Sequence, residues 1–348
     1  MNTNELKEWF VREQRDLPWR TDRSPYAVWV SEIMLQQTQV AVVIPYFERW
    51  MKQFPTIKHL AEASPESVIK AWEGLGYYSR ARNLHDGAKY VLNNHNGILP
   101  NTYDELKKIK GLGPYTIGAI QSFAFQLRAP AVDGNVIRVL ARHFAIKEDI
   151  SLPKTLSAIK SHAEKLLPQH EPWLFNEALI ELGATICTKK PKCQMCPIKN
   201  SCKAFAYEIT STLPLKAKKV KTTYLHRAVA IISFKDKILI KKCPKGEIMS
   251  DLHEFPYFEI EDKELNLKKI EKSILSSLNS KVTFEKSLSA VTQTFTRYKA
   301  CLQPLTFKCH ERKIPAIQTP FLWASLDQLR ELPFSSGHKK ILKLFLSD

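Results

Sequence analysis

The sequence predicts a multidomain chain, an all-α domain followed by a small α+β domain, and three observations predict it. From Leu6 to about Tyr207, apolar residues recur at spacings of three and four, with Pro and Gly at short intervals and few alternating runs. From Glu208 the texture changes to EITSTLPLKAKKVKTT, which has little to bury. Beyond it AVAIISF, KILIKK, FPYFEI, KVTFEK and CLQPLTFKC read as strands, interrupted by the helical KELNLKKIEKSILSSLN. A chain of 348 residues, 44% hydrophobic and 25% charged, favours two cores over one. The expected division is residues 1–207, a basic linker 208–224 and a second domain 225–348.

The first strong element starts at Ser24-Pro25, a cap followed by proline at the first helical position. The helix it opens, YAVWVSEIMLQQTQV, is almost wholly apolar around Glu32, whose helical neighbours are Val28, Trp29, Leu35 and Gln36. A carboxyl on such a helix loses hydration when charged, so its pKa should rise and a proton is held near neutral pH, as a general acid requires. The competing reading is a Glu at the helix edge, facing water or paired with an Arg. In IKGLGPYTIGAI, Gly111-Leu112-Gly113 precedes a helix at Pro114, so backbone N–H groups are free to receive a phosphate. A Gly-x-Gly turn between helices is also a common structural joint. Asp133, in PAVDGNVIRVLARHF, stands immediately before a helix, where N-capping explains it completely. A carboxylate facing Glu32 across a cleft, stabilising positive charge at a sugar, explains it functionally.

Cys187, Cys193, Cys196 and Cys202 lie in CTKKPKCQMCPIKNSC, a stretch too short for a core of its own. Four buried apolar cysteines are hard to reconcile with the intervening Lys189, Lys190 and Lys192. The spacing predicts a bound centre, and four thiolates suit zinc or an iron-sulfur cluster equally. Lys216, Lys218, Lys219 and Lys221 then make the linker either a DNA-lying segment or a solvated charge run.

Charge and composition bound the partners. With 52 Lys+Arg against 35 Asp+Glu, the net charge of +17 points to a polyanion, nucleic acid before membrane, with no information on sequence preference. The N-terminal MNTNELKEWFVREQRDLPWR is polar, and no apolar run of signal-peptide or membrane-spanning length occurs. The expectation is a cytoplasmic, nucleoid-associated monomer with clustered thiols as ligands rather than disulfides. Cys243, Cys301 and Cys309 are expected to be ordinary free cysteines.

LPWR (17–20), WVSEIMLQQTQV (29–40), EGLGYYSRARNLH (73–85), KGLGPYTIGAI, VDGNVIRVL (132–140), NEALIELGA (176–184) and the cysteine loop occur in the order they have in the MutY family of adenine DNA glycosylases, within the helix-hairpin-helix superfamily. The chain resembles that family through nearly all of its first 207 residues. The resemblance implies a two-lobed helical domain with the active site in its cleft, one 4Fe-4S cluster on the four cysteines, and removal of adenine mispaired with 8-oxoguanine or guanine in double-stranded DNA. By position, Glu32 is then the acid that protonates the adenine ring, and Asp133 stabilises the oxocarbenium-like sugar. Tyr115 stands where lyase-competent relatives hold a Schiff-base lysine, which implies base excision without efficient strand cleavage; Lys110 is badly placed to substitute. Arg20 and Glu177 match positions near the extruded adenine, or else form a surface ion pair. Gln37 and Thr38 match positions at the opposite base or the gap, and Leu75 and Tyr77 match wedge residues, though without the family both read as core.

The C-terminal domain resembles the Nudix-like module of the same family through its strand pattern, DLHEFP (251–256) and TFTRY (294–298). His253 stands where the family usually has Trp. Phe295-Thr296-Arg297 stands where it commonly has Phe-Ser-His, keeping a hydroxyl but exchanging an imidazole for a permanent charge. KKIEKSILSSLN offers only Glu271 to a metal, so Nudix hydrolysis is not expected. The Cys187–Cys193 spacing is one residue shorter than usual. Two other readings fit part of the pattern: a bifunctional endonuclease III-like glycosylase and lyase, and a non-enzymatic Fe-S mismatch-binding protein.

Overall fold

The computed structural model describes residues 1–217, 222–244, 246–247, 249–260, 265–278, 281–295, 297–311, 317 and 319–348. Thr296 and the linker lysines Lys218, Lys219 and Lys221 lie outside them. The chain divides into two compact units: Met1–Glu62 with Asn83–Lys219, and Ala63–Arg82 with Val220–Asp348.

The helices run α1 (Thr3–Glu13), α2 (Pro18–Thr21), α3 (Pro25–Leu35), α4 (Val40–Gln53), α5 (Ile57–Glu62), α6 (Pro65–Ala71) and α7 (Ser79–His95). They continue as α8 (Tyr103–Lys108), α9 (Pro114–Ala119), α10 (Gly134–His143), α11 (Pro153–Leu166), α12 (Pro172–Thr185) and α13 (Lys203–Ala206). Proline at the first helical position recurs in α2, α3, α6, α9, α11 and α12, because its missing N–H falls where no intrahelical acceptor exists. One core of the first unit joins Leu6, Trp9 and Phe10 of α1 to Val136, Val139 and Leu140 of α10 and to Phe175, Leu179 and Leu182 of α12. Helix α3 is buried on nearly every side, from Tyr26 to Met34. The α10–α12 contact is close at Gly183, where a Cβ would stand 2.6 Å from the Asn135 Cβ.

The second unit carries a mixed sheet of β1 (Thr223–Phe234), β2 (Lys237–Lys242), β3 (His253–Glu254), β4 (Tyr257–Glu259), β5 (Val282–Ser287), β6 (Val291–Phe295), β7 (Tyr298–Cys309) and β8 (Phe321–Ser325). Its axis is the parallel pair β1·β7, in register from Thr223↔Tyr298 to Ser233↔Lys308. A parallel pair is covered on both faces, and this accounts for the apolar run AVAII in β1, from Ala228 to Ile232. Val229 and Ile231 point to a core with Ile341 and Leu342 of α16 (Ser336–Ser347), which follows α15 (Leu326–Glu331). Ala228, Ala230 and Ile232 point to the opposite core with Ile270, Ile274 and Leu278 of α14 (Leu267–Leu278).

Candidate active site

Glu32 sits on α3 because that helix starts where Ser24 and Pro25 set it: the Ser24 hydroxyl accepts from Ala27 N–H at 3.3 Å. The side chain is only 6% exposed and lines a cavity of about 620 Å³ shared with Tyr115, Asp133, Arg20 and Glu177. The edge-of-helix reading of Glu32 is therefore corrected, since all of α3 from Tyr26 to Met34 is buried. Tyr115, on α9, donates its hydroxyl to Glu32 Oε2 at 2.5 Å. Burial pushes the Glu32 carboxyl up to about 7; the Tyr115 hydrogen bond and Arg20 pull it down, while Asp133 and Glu177 push it up. Desolvation is the largest of these effects and outweighs both the Tyr115 hydrogen bond and the Arg20 charge.

Asp133 is both a helix cap and a lining residue of this cavity. Its Oδ1 accepts from Val136 N–H at 2.7 Å, capping α10, and the same side chain lines the Glu32 cavity. Burial raises its pKa, against the hydrogen bonds from Val136 and Asn135 that lower it. Asn135 Nδ2 donates to Asp133 Oδ2 at 2.8 Å, and Asn135 Oδ1 accepts from Arg138 Nη2 at 2.8 Å. Arg138 continues to the Cys187 carbonyl at 2.7 Å and the Gly183 carbonyl at 2.7 Å. A hydrogen-bonded chain thus runs from the cavity carboxylate to the cysteine loop.

Arg20 and Glu177 form an ion pair at 3.4 Å, but it is no surface pair: the two side chains keep only 12% and 8% of their exposure. They belong to a cluster that the sequence reading missed. Arg15 and Arg20 both reach Glu181, at 2.6 and 2.8 Å, and Arg23 reaches Glu177 at 2.9 Å. Burial pushes Glu181 up, yet the hydrogen bonds from Arg15 and Arg20 outweigh it and hold the carboxyl below its usual range. The available signal was the spacing of four between Glu177 and Glu181 on α12, which puts both on one helix face.

Gln37 and Thr38 follow the end of α3 and line the same cavity; Gln37 is exposed, with φ of 57°. Gly111 has φ of 89°, and a Cβ there would stand 2.7 Å from the Asn83 Cβ, so the hairpin turn requires glycine twice over. Gly113 caps α9, and the Lys110 ammonium is paired with Asp86 at 2.6 Å. In the second unit Leu75 is 6% exposed, and Tyr77 is 46% exposed with φ of 48°. Phe295 ends β6 and packs on Tyr298 at 5.5 Å between ring centroids. Arg297 is exposed and donates to the Tyr298 hydroxyl at 3.1 Å.

Cys187, Cys193, Cys196 and Cys202 line one further cavity together with Arg142. Arg142 donates to Cys187 Sγ at 3.3 Å, to the Thr188 carbonyl at 2.6 Å and to the Leu213 carbonyl at 2.9 Å. Burial, then the neighbouring thiols, push Cys196 up to about 12, a site that needs added positive charge to hold thiolates. Among the described residues no three donors converge where a single metal ion would sit. Four thiols around a shared cavity are a donor set that suits either zinc or an iron-sulfur cluster.

Comparison with known proteins agrees with this architecture. Residues 30–169 match the HhH-GPD superfamily of base excision DNA repair proteins, and residues 227–344 match the NUDIX domain. An adenine DNA glycosylase of Rattus norvegicus is 48% identical over 57% of this chain, which spans 40% of that protein's length. An adenine DNA glycosylase of Buchnera aphidicola subsp. Schizaphis graminum is 32% identical over 98% of this chain and 97% of its own. The structure of a thermostable thymine-DNA glycosylase, 27% identical, superposes with a TM-score of 0.54 over 59% of this chain and 95% of that one. With similarity to the Buchnera aphidicola protein over nearly the whole of both chains, and with both domain matches, the chain belongs to the adenine DNA glycosylase family of HhH-GPD base excision DNA repair proteins.

Proposed function

We propose that the protein hydrolyses the N-glycosidic bond of adenine mispaired with 8-oxoguanine or guanine in double-stranded DNA, without cleaving the strand. The observation that carries this is the pairing, in one cavity, of a carboxyl that holds its proton near neutral pH, Glu32, with a second carboxylate, Asp133. A flipped adenine is a poor leaving group until its ring is protonated. Glu32, fed by burial and held by Tyr115, gives up that proton as the bond lengthens. Asp133, fixed by Val136 N–H and Asn135, offers negative charge to the sugar as it becomes oxocarbenium-like. General acid catalysis supplies about two to four orders of magnitude, so Asp133 must contribute as well.

Tyr115 offers a phenol where a lyase needs an amine, and Lys110 is tied to Asp86, which favours base excision alone. Arg20, Glu177 and Glu181 form a rigid charged wall suited to the polar edge of a base. Gln37, Thr38 and Tyr77 suit contact with the opposite base and the stack, with the buried Leu75 supporting the turn that presents Tyr77. Gly111 and Gly113 suit a DNA phosphate, and Phe295, Thr296 and Arg297 suit the lesion. Cys187, Cys193, Cys196 and Cys202 would hold a 4Fe-4S cluster, which supplies structural rigidity to the loop. Excision assays on duplexes with adenine opposite 8-oxoguanine, guanine or thymine test the reading. Alkali-dependent breaks at mispaired adenine are expected, and breaks without alkali would defeat the strand-sparing mechanism.

A further inference from the structure

Residues 74–78 form a strained turn, with φ of 109° at Gly74, 72° at Gly76 and 48° at Tyr77. A tyrosine in the left-handed region costs about 1 kcal/mol and persists only where its surroundings over-determine it. Here Trp72 Nε1 donates to the Gly76 carbonyl at 3.1 Å, and Gly74 N–H donates to the Tyr78 hydroxyl at 3.1 Å. The buried Arg80 donates to the carbonyls of Leu75 and Gly76, both at 3.2 Å. Tyr77 itself is 46% exposed, with the Arg80 guanidinium 5.6 Å from its ring centroid.

The frame is fastened at both ends to the C-terminal part of its own compact unit. On the leading side, Glu73 Oε1 accepts from Phe334 N–H at 2.8 Å, and its carboxylate lies 3.4 Å from Lys70 and 3.2 Å from Lys339. Lys70 in turn donates to the carbonyls of Arg330 at 2.8 Å and Leu332 at 3.2 Å. On the trailing side, Arg82 donates to the Ser250 carbonyl at 3.0 Å and lies 3.5 Å from Asp251. Between the two pins a cavity of about 360 Å³ is walled by Tyr77, Tyr78 and Arg82 on one side and by Gln293, Thr294 and Phe295 of β6 on the other.

We infer that Glu73 and Arg82 are positioning residues that clamp the Tyr77 turn to the module carrying the β6–β7 turn, so that the module facing the base opposite adenine also sets the position of the wedge. The inference rests on the reading of Tyr77 as the wedge. Tyr77 then reports on the C-terminal module through these two pins. Loosening either pin should therefore erase the advantage conferred by the lesion while leaving bond cleavage intact.

The test uses the full cluster-loaded chain as wild type, Glu73→Ala, Arg82→Ala and the conservative Arg82→Lys. Hydrogen exchange is followed in the peptide spanning residues 72–80, and single-turnover excision is followed for adenine opposite 8-oxoguanine and opposite an abasic analogue. Both alanine variants should exchange about tenfold faster in that peptide and lose the 8-oxoguanine advantage by about tenfold, with excision opposite the abasic analogue kept within about threefold; Arg82→Lys should restore most of both. Unchanged exchange, an equal fall on both duplexes, or faster exchange with an unchanged advantage would each overturn the inference. A wild-type protein that excises nothing would instead defeat the glycosylase reading, and the exchange measurement would still decide whether the two pins hold the turn.

Discussion

Burial on α3 raises the Glu32 carboxyl into the neutral range, and the proposed function makes this group its chemical centre. Because the folded pKa is raised from 4.5 to about 7, stability linked to Glu32 is fully present at low pH and is lost as pH rises through about 7. Glu32→Gln removes the buried charge, so thermal unfolding at pH 8 should show it more stable than wild type by up to about 3 kcal/mol, with little difference at pH 4. The same variant should lose about two to four orders of magnitude in excision rate while still binding duplex in a gel-shift assay. Tyr115→Phe deletes a hydrogen bond that lowers the Glu32 pKa, so the alkaline fall of the pH–rate profile should move to higher pH. An unmoved profile would separate Tyr115 from the acid.

Helix α10 ties two sites together. Its N-cap is Asp133, its second residue Asn135 holds that cap, and Arg138 links Asn135 to the carbonyls of Gly183 and Cys187. With the proposed cluster bound, Arg138→Ala should release its iron to a chelator about ten- to a hundredfold more readily, the usual cost of losing a residue that orients a ligand. Gly183→Ala should cost about 1–3 kcal/mol in denaturant unfolding, because its Cβ has 2.6 Å to the Asn135 Cβ and α12 must move. Much of this level was legible in the sequence. Ser24-Pro25 marked α3 and Asp133 marked α10, since caps and prolines act locally. Strands β6 and β8 were not read as strands: Thr292, Gln293 and Thr294 carry little apolar signal, and FLWAS is short. The Arg15–Glu181 and Arg23–Glu177 pairs were also hidden, because partners more than 150 positions apart leave no local pattern.

Across the whole molecule, 52 basic against 35 acidic side chains create a field that favours a polyanion. Duplex affinity should fall steeply with salt, giving a negative log–log slope near 0.9 per neutralised phosphate, about 5 in all for six contacts. A flat dependence would show that the excess charge does not face DNA. Spectroscopy and iron analysis of the purified chain should find about four irons and visible absorbance, both lost when Cys196→Ala removes one of four thiols. The central claim, that a protonated Glu32 and an anionic Asp133 cooperate in one cavity to expel adenine, is tested most directly by single-turnover excision of adenine opposite 8-oxoguanine, with and without hot alkali. Breaks that appear only after alkali, and that vanish in Glu32→Gln, are the predicted result. Full excision by Glu32→Gln, or breaks independent of alkali, would contradict it.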